Sequence, residues 1–206
     1  MADRYWVGGT ATWDSTAGTK WAATSGGAGG QSVPTSLDAV FFNAASGAGT
    51  VTVGTGGGNA LSINCTGFTG TIAGTQVLNV SGSVTLVTGM TFTHTGGFNL
   101  LATGTLTTGG KTLGPVTITA AGGTVTLGSA LTLSSSADLT LSAGTLTTSA
   151  SNFAITARGM SLSGSGSKVL TLNGSTVSLS RTSADAFDYT GSNLTFNAGT
   201  STKEIL

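Results

Sequence analysis

The sequence predicts an all-β protein, a right-handed parallel β-helix with a Trp-rich N-terminal cap. Three observations lead there: one Thr-flanked apolar phrase recurs, apolar residues alternate strictly within most strands, and no stretch after residue 47 carries helical periodicity. The phrase stands as Gly49-Thr50-Val51-Thr52-Val53-Gly54, Gly104-Thr105-Leu106-Thr107-Thr108-Gly109, Gly123-Thr124-Val125-Thr126-Leu127-Gly128 and Gly144-Thr145-Leu146-Thr147-Thr148. Such repetition marks architectures whose units bury their apolar edges only against neighbouring units. Alternation at i and i+2 sends one set of side chains inward and leaves Thr and Ser outside.

Residues 1–46 differ from the rest and are expected to form a cap or docking segment. They hold all three tryptophans, Trp6, Trp13 and Trp21, together with the apolar strand Ala39-Val40-Phe41-Phe42. The loop Ser25-Gly26-Gly27-Ala28-Gly29-Gly30 divides the segment and forbids a helix there. Aromatic residues in a chain otherwise short of them suit the end of a stack, where a sheet edge needs covering. Tyr5, Trp6, Trp13, Trp21, Phe41 and Phe42 are therefore the candidate docking residues. A sugar-stacking role for Trp6 or Trp13 is the functional alternative.

Residues 47–206 are expected to form the repetitive stack. Apolar centres recur every seven to nine residues, from Val51/Val53 and Leu61/Ile63 through Val125/Leu127 and Leu146 to Leu194/Phe196. Three short strands per coil give a coil of about 22 residues and six or seven coils. The competitor is an antiparallel sandwich or jelly roll. Against it, the strongest hairpin dipeptides, Asn-Gly and Asp-Gly, occur only at Asn173-Gly174.

Charge narrows the function classes. Charged residues make up 7% of the chain, against roughly 25% in ordinary domains, and 7 basic residues balance 7 acidic ones. No Asp, Glu, Lys or Arg falls between Asp38 and Lys111. Nucleic-acid binding, which depends on clustered Lys and Arg, is not expected. A membrane role is equally unsupported, because no basic run and no apolar stretch of about 20 residues occurs. A weakly polar surface with zero net charge favours self-association. The N-terminus lacks the apolar run of a secretory signal, so assembly in a cytoplasm is expected.

Chemistry-bearing residues are sparse. Asp185 and Asp188 are the only close acidic pair, and their odd spacing places them on opposite faces of a strand unless a turn intervenes. His94 lacks the partners of a zinc site or a triad and is expected as a hydrogen-bonded surface residue. Cys65 is a lone cysteine, expected in the core. Gly109-Gly110-Lys111-Thr112 lacks the spacing of a phosphate loop. No catalytic residue, no metal ligand set and no cofactor is predicted. The Thr-x-Thr pairs at Thr105/Thr107, Thr117/Thr119, Thr124/Thr126 and Thr145/Thr147 raise ice binding as an alternative.

The head Tyr5-Trp6-Val7-Gly8-Gly9-Thr10-Ala11-Thr12-Trp13, with Trp21-Ala22-Ala23-Thr24-Ser25-Gly26-Gly27-Ala28-Gly29-Gly30 and Ser32-Val33-Pro34-Thr35-Ser36-Leu37-Asp38-Ala39-Val40-Phe41-Phe42, resembles that of a β-helical family of tailed-phage virion proteins and related bacterial surface adhesins. Cys65-Thr66-Gly67-Phe68-Thr69-Gly70-Thr71 and Leu194-Thr195-Phe196-Asn197-Ala198-Gly199-Thr200-Ser201-Thr202 resemble its later repeats. The resemblance implies a place on the virion surface, as a capsid decoration (cement) protein or part of a fibre. The implied partners are the major capsid protein or other virion subunits and further copies of the chain, with a trimer favoured. A glycan-binding tail-fibre or adhesin module is the runner-up, and a polysaccharide-degrading spike comes third. Longer relatives carry C-terminal domains, whereas this sequence stops at Lys203-Glu204-Ile205-Leu206, which tells against receptor binding.

Overall fold

Inward side chains at every second position force the strands to stack, and the computed structural model shows how. It describes residues 1–181 and 184–205. The chain winds as a β-solenoid of about seven turns with three faces. On the first face Asp3–Trp6 lies beside Ala39–Phe41, followed by Ser62–Asn64, Val84–Thr85 and Gly104–Thr107. Residues 124–127, residues 144–147, Lys168–Thr171 and Leu194–Asn197 continue it. The second face runs from Asn59–Ala60 through Leu78–Val80 and Phe98–Leu100 to Gly159–Ser161 and Phe187–Asp188. The third runs from Ala11–Trp13, Thr50–Val53 and Thr71–Gly74 to Thr91–Phe92. It breaks there and resumes from Thr112–Leu113 to Thr202–Ile205.

Every pairing in these stacks is parallel, which rules out the antiparallel sandwich. Successive inward residues Ile63, Val84, Leu106 and Leu127 are 21 or 22 residues apart, the predicted coil length. These side chains form one continuous buried column with Val40, Ile72, Leu100, Leu141 and Leu179. Fully burying a Val, Leu or Ile side chain contributes about 1.5–3 kcal/mol.

Two strands, Val116–Leu127 and Asp138–Thr147, run without a break from the second face to the first. The register between them shifts at the corner. Gly144 sits there with φ +89°, and a Cβ on it would come within 2.0 Å of the Ala120 carbonyl oxygen. Only glycine fits that combination of positive φ and backbone approach.

The two ends differ. At the N-terminal end, Trp21–Ala22 pairs antiparallel with Asp3–Trp6 and closes its free edge. Lys20 Nζ closes the neighbouring strand by donating to the Thr12 carbonyl at 2.7 Å. At the C-terminal end, among the described residues, Phe187–Asp188, Leu194–Asn197 and Thr202–Ile205 each pair on one side only. Beside them lies an apolar recess of about 330 Å³ lined by Leu172, Val177, Phe187, Phe196 and Lys203. Residues 1–46 share the single core: Val40 stacks on Ile63, and the Trp6, Trp13 and Trp21 side chains join the same column.

Candidate functional site

Outward positions of the charge-free segment, residues 39–110, line up in rows on successive coils. On the first face a single outward row runs Tyr5, Phe41, Asn64, Thr85, Thr107. Its first two members stack with ring centroids 4.6 Å apart and planes 13° apart, and both are half-buried. On the second face Asn59, Asn79 and Asn99 form an amide ladder. Asn79 Nδ2 donates to Asn59 Oδ1 at 3.2 Å, and Asn99 Nδ2 donates to Asn79 Oδ1 at 3.0 Å. Each ladder amide is therefore held in one orientation, and the surface it presents is rigid and neutral.

The aromatic docking expectation is corrected in part. Trp6, Trp13, Trp21 and Phe42 are at most 1% exposed, so their rings offer no surface to a partner. Alternation explains this: Phe42 shares the inward side with Val40, so the rings fill the first coil. Trp21 meets Trp6 at 5.0 Å and Trp13 at 5.3 Å, edge to face. Trp6 Nε1 donates to the Gly9 carbonyl at 3.0 Å, while the indole nitrogens of Trp13 and Trp21 have no partner. Tyr5 and Phe41 alone among the six face outward.

The threonine pairs do come into register. Thr124 lies opposite Thr145 and Thr126 opposite Thr147, with Thr105 beside Thr126. The array then changes character, because Val169 follows Thr145 and Asn197 follows Thr171. Thr117 aligns with Thr140 on the other face.

Asp185 and Asp188 end on one cleft, not on opposite faces. The 3₁₀ turn Ala184–Ala186 intervenes, and both line a depression of about 290 Å³ with Asp138, Thr140, Ser161 and Arg181. Asp138 is its centre. Arg158 Nε donates to Asp138 Oδ1 at 2.9 Å, Arg158 Nη2 donates to Oδ2, and Arg181 Nη2 donates to Oδ2 at 3.0 Å. The hydrogen bonds from Arg158, reinforced by the charges of Arg158 and Arg181, hold the Asp138 carboxyl below its usual range. A carboxylate held this way is a poor proton acceptor. The sequence signal was available: Asp138, Arg158 and Arg181 are one coil apart, so successive coils bring them together.

Three further residues have settled places. Cys65 is fully buried as expected, and burial pushes its thiol pKa up. His94 is buried rather than at the surface, because it shares the inward side with Phe92. Its Nε2 donates to the Gln76 carbonyl at 2.7 Å. Lys168 is 1% exposed, and its Nζ donates to the carbonyls of Gly164, Gly166 and Ser192 at 2.7, 2.9 and 2.8 Å. Among the described residues, no three His, Cys, Asp or Glu side chains gather as a metal site would require. No helix of the described chain is long and apolar enough to cross a membrane. Comparison of the chain with protein-family models, with curated proteins and with solved structures gives no match.

Proposed function

We propose that this chain is a structural protein of a phage virion, a decoration (cement) protein that docks on the assembled shell through the outer surface of its solenoid. The observation that carries the reading is the uncharged surface built by residues 39–110. It runs from the Tyr5–Phe41 stack into outward Asn and Thr rows, on a column whose shape the core fixes. A neutral surface gains from summed burial, at about 25 cal/mol per Å² of apolar area, rather than from ion pairs. The major capsid protein and further copies of the chain are the partners in this proposal, with a trimer as the assembled form.

Co-sedimentation of the purified chain with assembled capsids tests it. Binding is expected to survive high salt, because little of it depends on charge. A chain that stays in the supernatant at every salt concentration contradicts the proposal. Light scattering coupled to size exclusion reads the oligomer. One observation favours a second reading as well: Tyr5 and Phe41 form an outward aromatic pair of the kind sugars stack on. A glycan array separates this host-glycan reading from the first.

A further inference from the structure

The C-terminal end of the column is open on all three faces. Phe187 lies opposite Met160, Phe196 opposite Leu170 and Lys203 opposite Val177, and those three partners are buried. Phe187, Phe196 and Lys203 therefore hold inward positions of the last strands, and no described strand pairs beyond them. They surround the apolar recess of about 330 Å³, with buried Leu172 and Val177 as its floor and Ser201 and Thr202 at its rim. The Phe187 and Phe196 ring centroids are 6.1 Å apart. Beside the recess, Thr202–Ile205 presents a free row of backbone donors and acceptors.

Lys203 gives this end a sign. Its Nζ lies 5.3 Å from the centroid of the Phe187 ring. The ion pairs among the described residues are those of Asp14 with Lys20 and of Asp138 with Arg158 and Arg181, so no described carboxylate neutralises it. Neighbouring Glu204 lies opposite Ser178, whose hydroxyl donates to Glu204 Oε2 at 3.2 Å on the outer side. An inward charge on an edge strand turns away strands that bring only apolar side chains. It admits one that carries the opposite charge at that position. A second copy does not meet this demand. Its N-terminal edge is already covered by Trp21–Ala22. Tail-to-tail contact would gather two Lys203 ammonium groups in a shared interior with no inward carboxylate, and an unpaired buried charge is costly.

We propose that this end binds an extended segment of a partner protein, which pairs as the next strand beside Thr202–Ile205 and carries an inward acidic residue. That Glu or Asp sits opposite Lys203, and an apolar residue two positions along, on the Ser201 side, covers the recess against Phe187 and Phe196. The two side chains share a face because strand side chains alternate. Main-chain hydrogen bonds to the free edge supply affinity, while the recess and Lys203 supply the choice of sequence. A cavity of about 150 Å³ takes up benzene, so a Leu or Phe side chain fits the recess. The site is separate from the neutral surface of residues 39–110 and does not rest on the virion reading.

Amide ¹H–¹⁵N NMR of the whole chain with blocked peptides tests this. The probe is acetyl-Thr-Leu-Thr-Glu-Thr-Leu-Thr-amide, which as a strand sets Leu and Glu on one face and Thr on the other. It is expected to move the amide signals of Leu194–Asn197 and Thr202–Ile205 and to leave those of Asp3–Trp6 in place. The same peptide with Lys for Glu should bind about tenfold more weakly, the worth of one charge-assisted hydrogen bond. Lys203→Glu, a change at an exposed position, should reverse that preference. Equal affinity for the two peptides, binding of neither, or shifts centred on Asp3–Trp6 overturns the proposal. Light scattering that shows a dimer split by Phe196→Asp assigns the end to a second copy and overturns it too.

Discussion

Lys168 and His94 are polar side chains that point into the core, and each carries a prediction. Replacing Lys168 with Met keeps the volume but strands the carbonyls of Gly164, Gly166 and Ser192. Loss of about 1.5–3 kcal/mol is expected from the lost charge-assisted hydrogen bonds, read as a lower urea midpoint at unchanged slope. His94 titrates with its folded pKa below the ordinary value of 6.5. The unfolded chain therefore binds the proton more readily. Stability is full above about pH 6.5 and falls as pH drops toward the folded pKa. Urea titrations of the wild type between pH 7.5 and 5 should show that slope, and His94→Leu should remove it. Both inward placements were legible from alternation, Lys168 with Leu170 and His94 with Phe92. Polarity argues the opposite, and the two signals conflict until the partner carbonyls are seen. Gln76 and Ser192 come from neighbouring coils, and Gly164 and Gly166 from the turn just before Lys168, which alternation alone does not name.

At the scale of elements, the strands, their length and their parallel stacking were legible, because period-two alternation and a coil of about 22 residues both follow from the spacing. The break in the third face was not, since it arises from the single missing inward side chain before Leu113. Nor was the fate of the aromatic head. Its clustering announced an end piece, but whether a ring faces a partner or the core depends on strand parity at Trp6, Trp13 and Phe42. Trp21→Ala should cost about 3–5 kcal/mol, because it empties the space between Trp6 and Trp13 and loosens the cap strand. Thermal unfolding checks this. Gly144→Val should be as severe: the positive φ costs about 1–3 kcal/mol, and the added carbon collides with Ala120. Circular dichroism at rising temperature should show a lower midpoint for that variant than for Ala143→Val, because Ala143 itself has no positive φ.

The whole molecule is a column closed at one end. The antiparallel Trp21–Ala22 strand covers the first edge, while the last rungs pair on one side and leave Phe196 47% exposed. Stability in such stacks is a sum of coil and neighbour terms. Hydrogen exchange should therefore be fastest at Leu194–Asn197 and Thr202–Ile205, slower at Asp3–Trp6 and slowest around Leu127 and Leu146; a uniform profile would contradict that order. The neutral surface is also a property of the whole, because it exists only once residues 39–110 are wound into successive rungs. Quantitative mass spectrometry of phage particles purified from lysates in which this chain is made is the most direct test of what that surface is for. A virion decoration protein predicts a fixed ratio to the major capsid protein that persists through gradient purification. A chain found free in the lysate and absent from the particles would contradict the account.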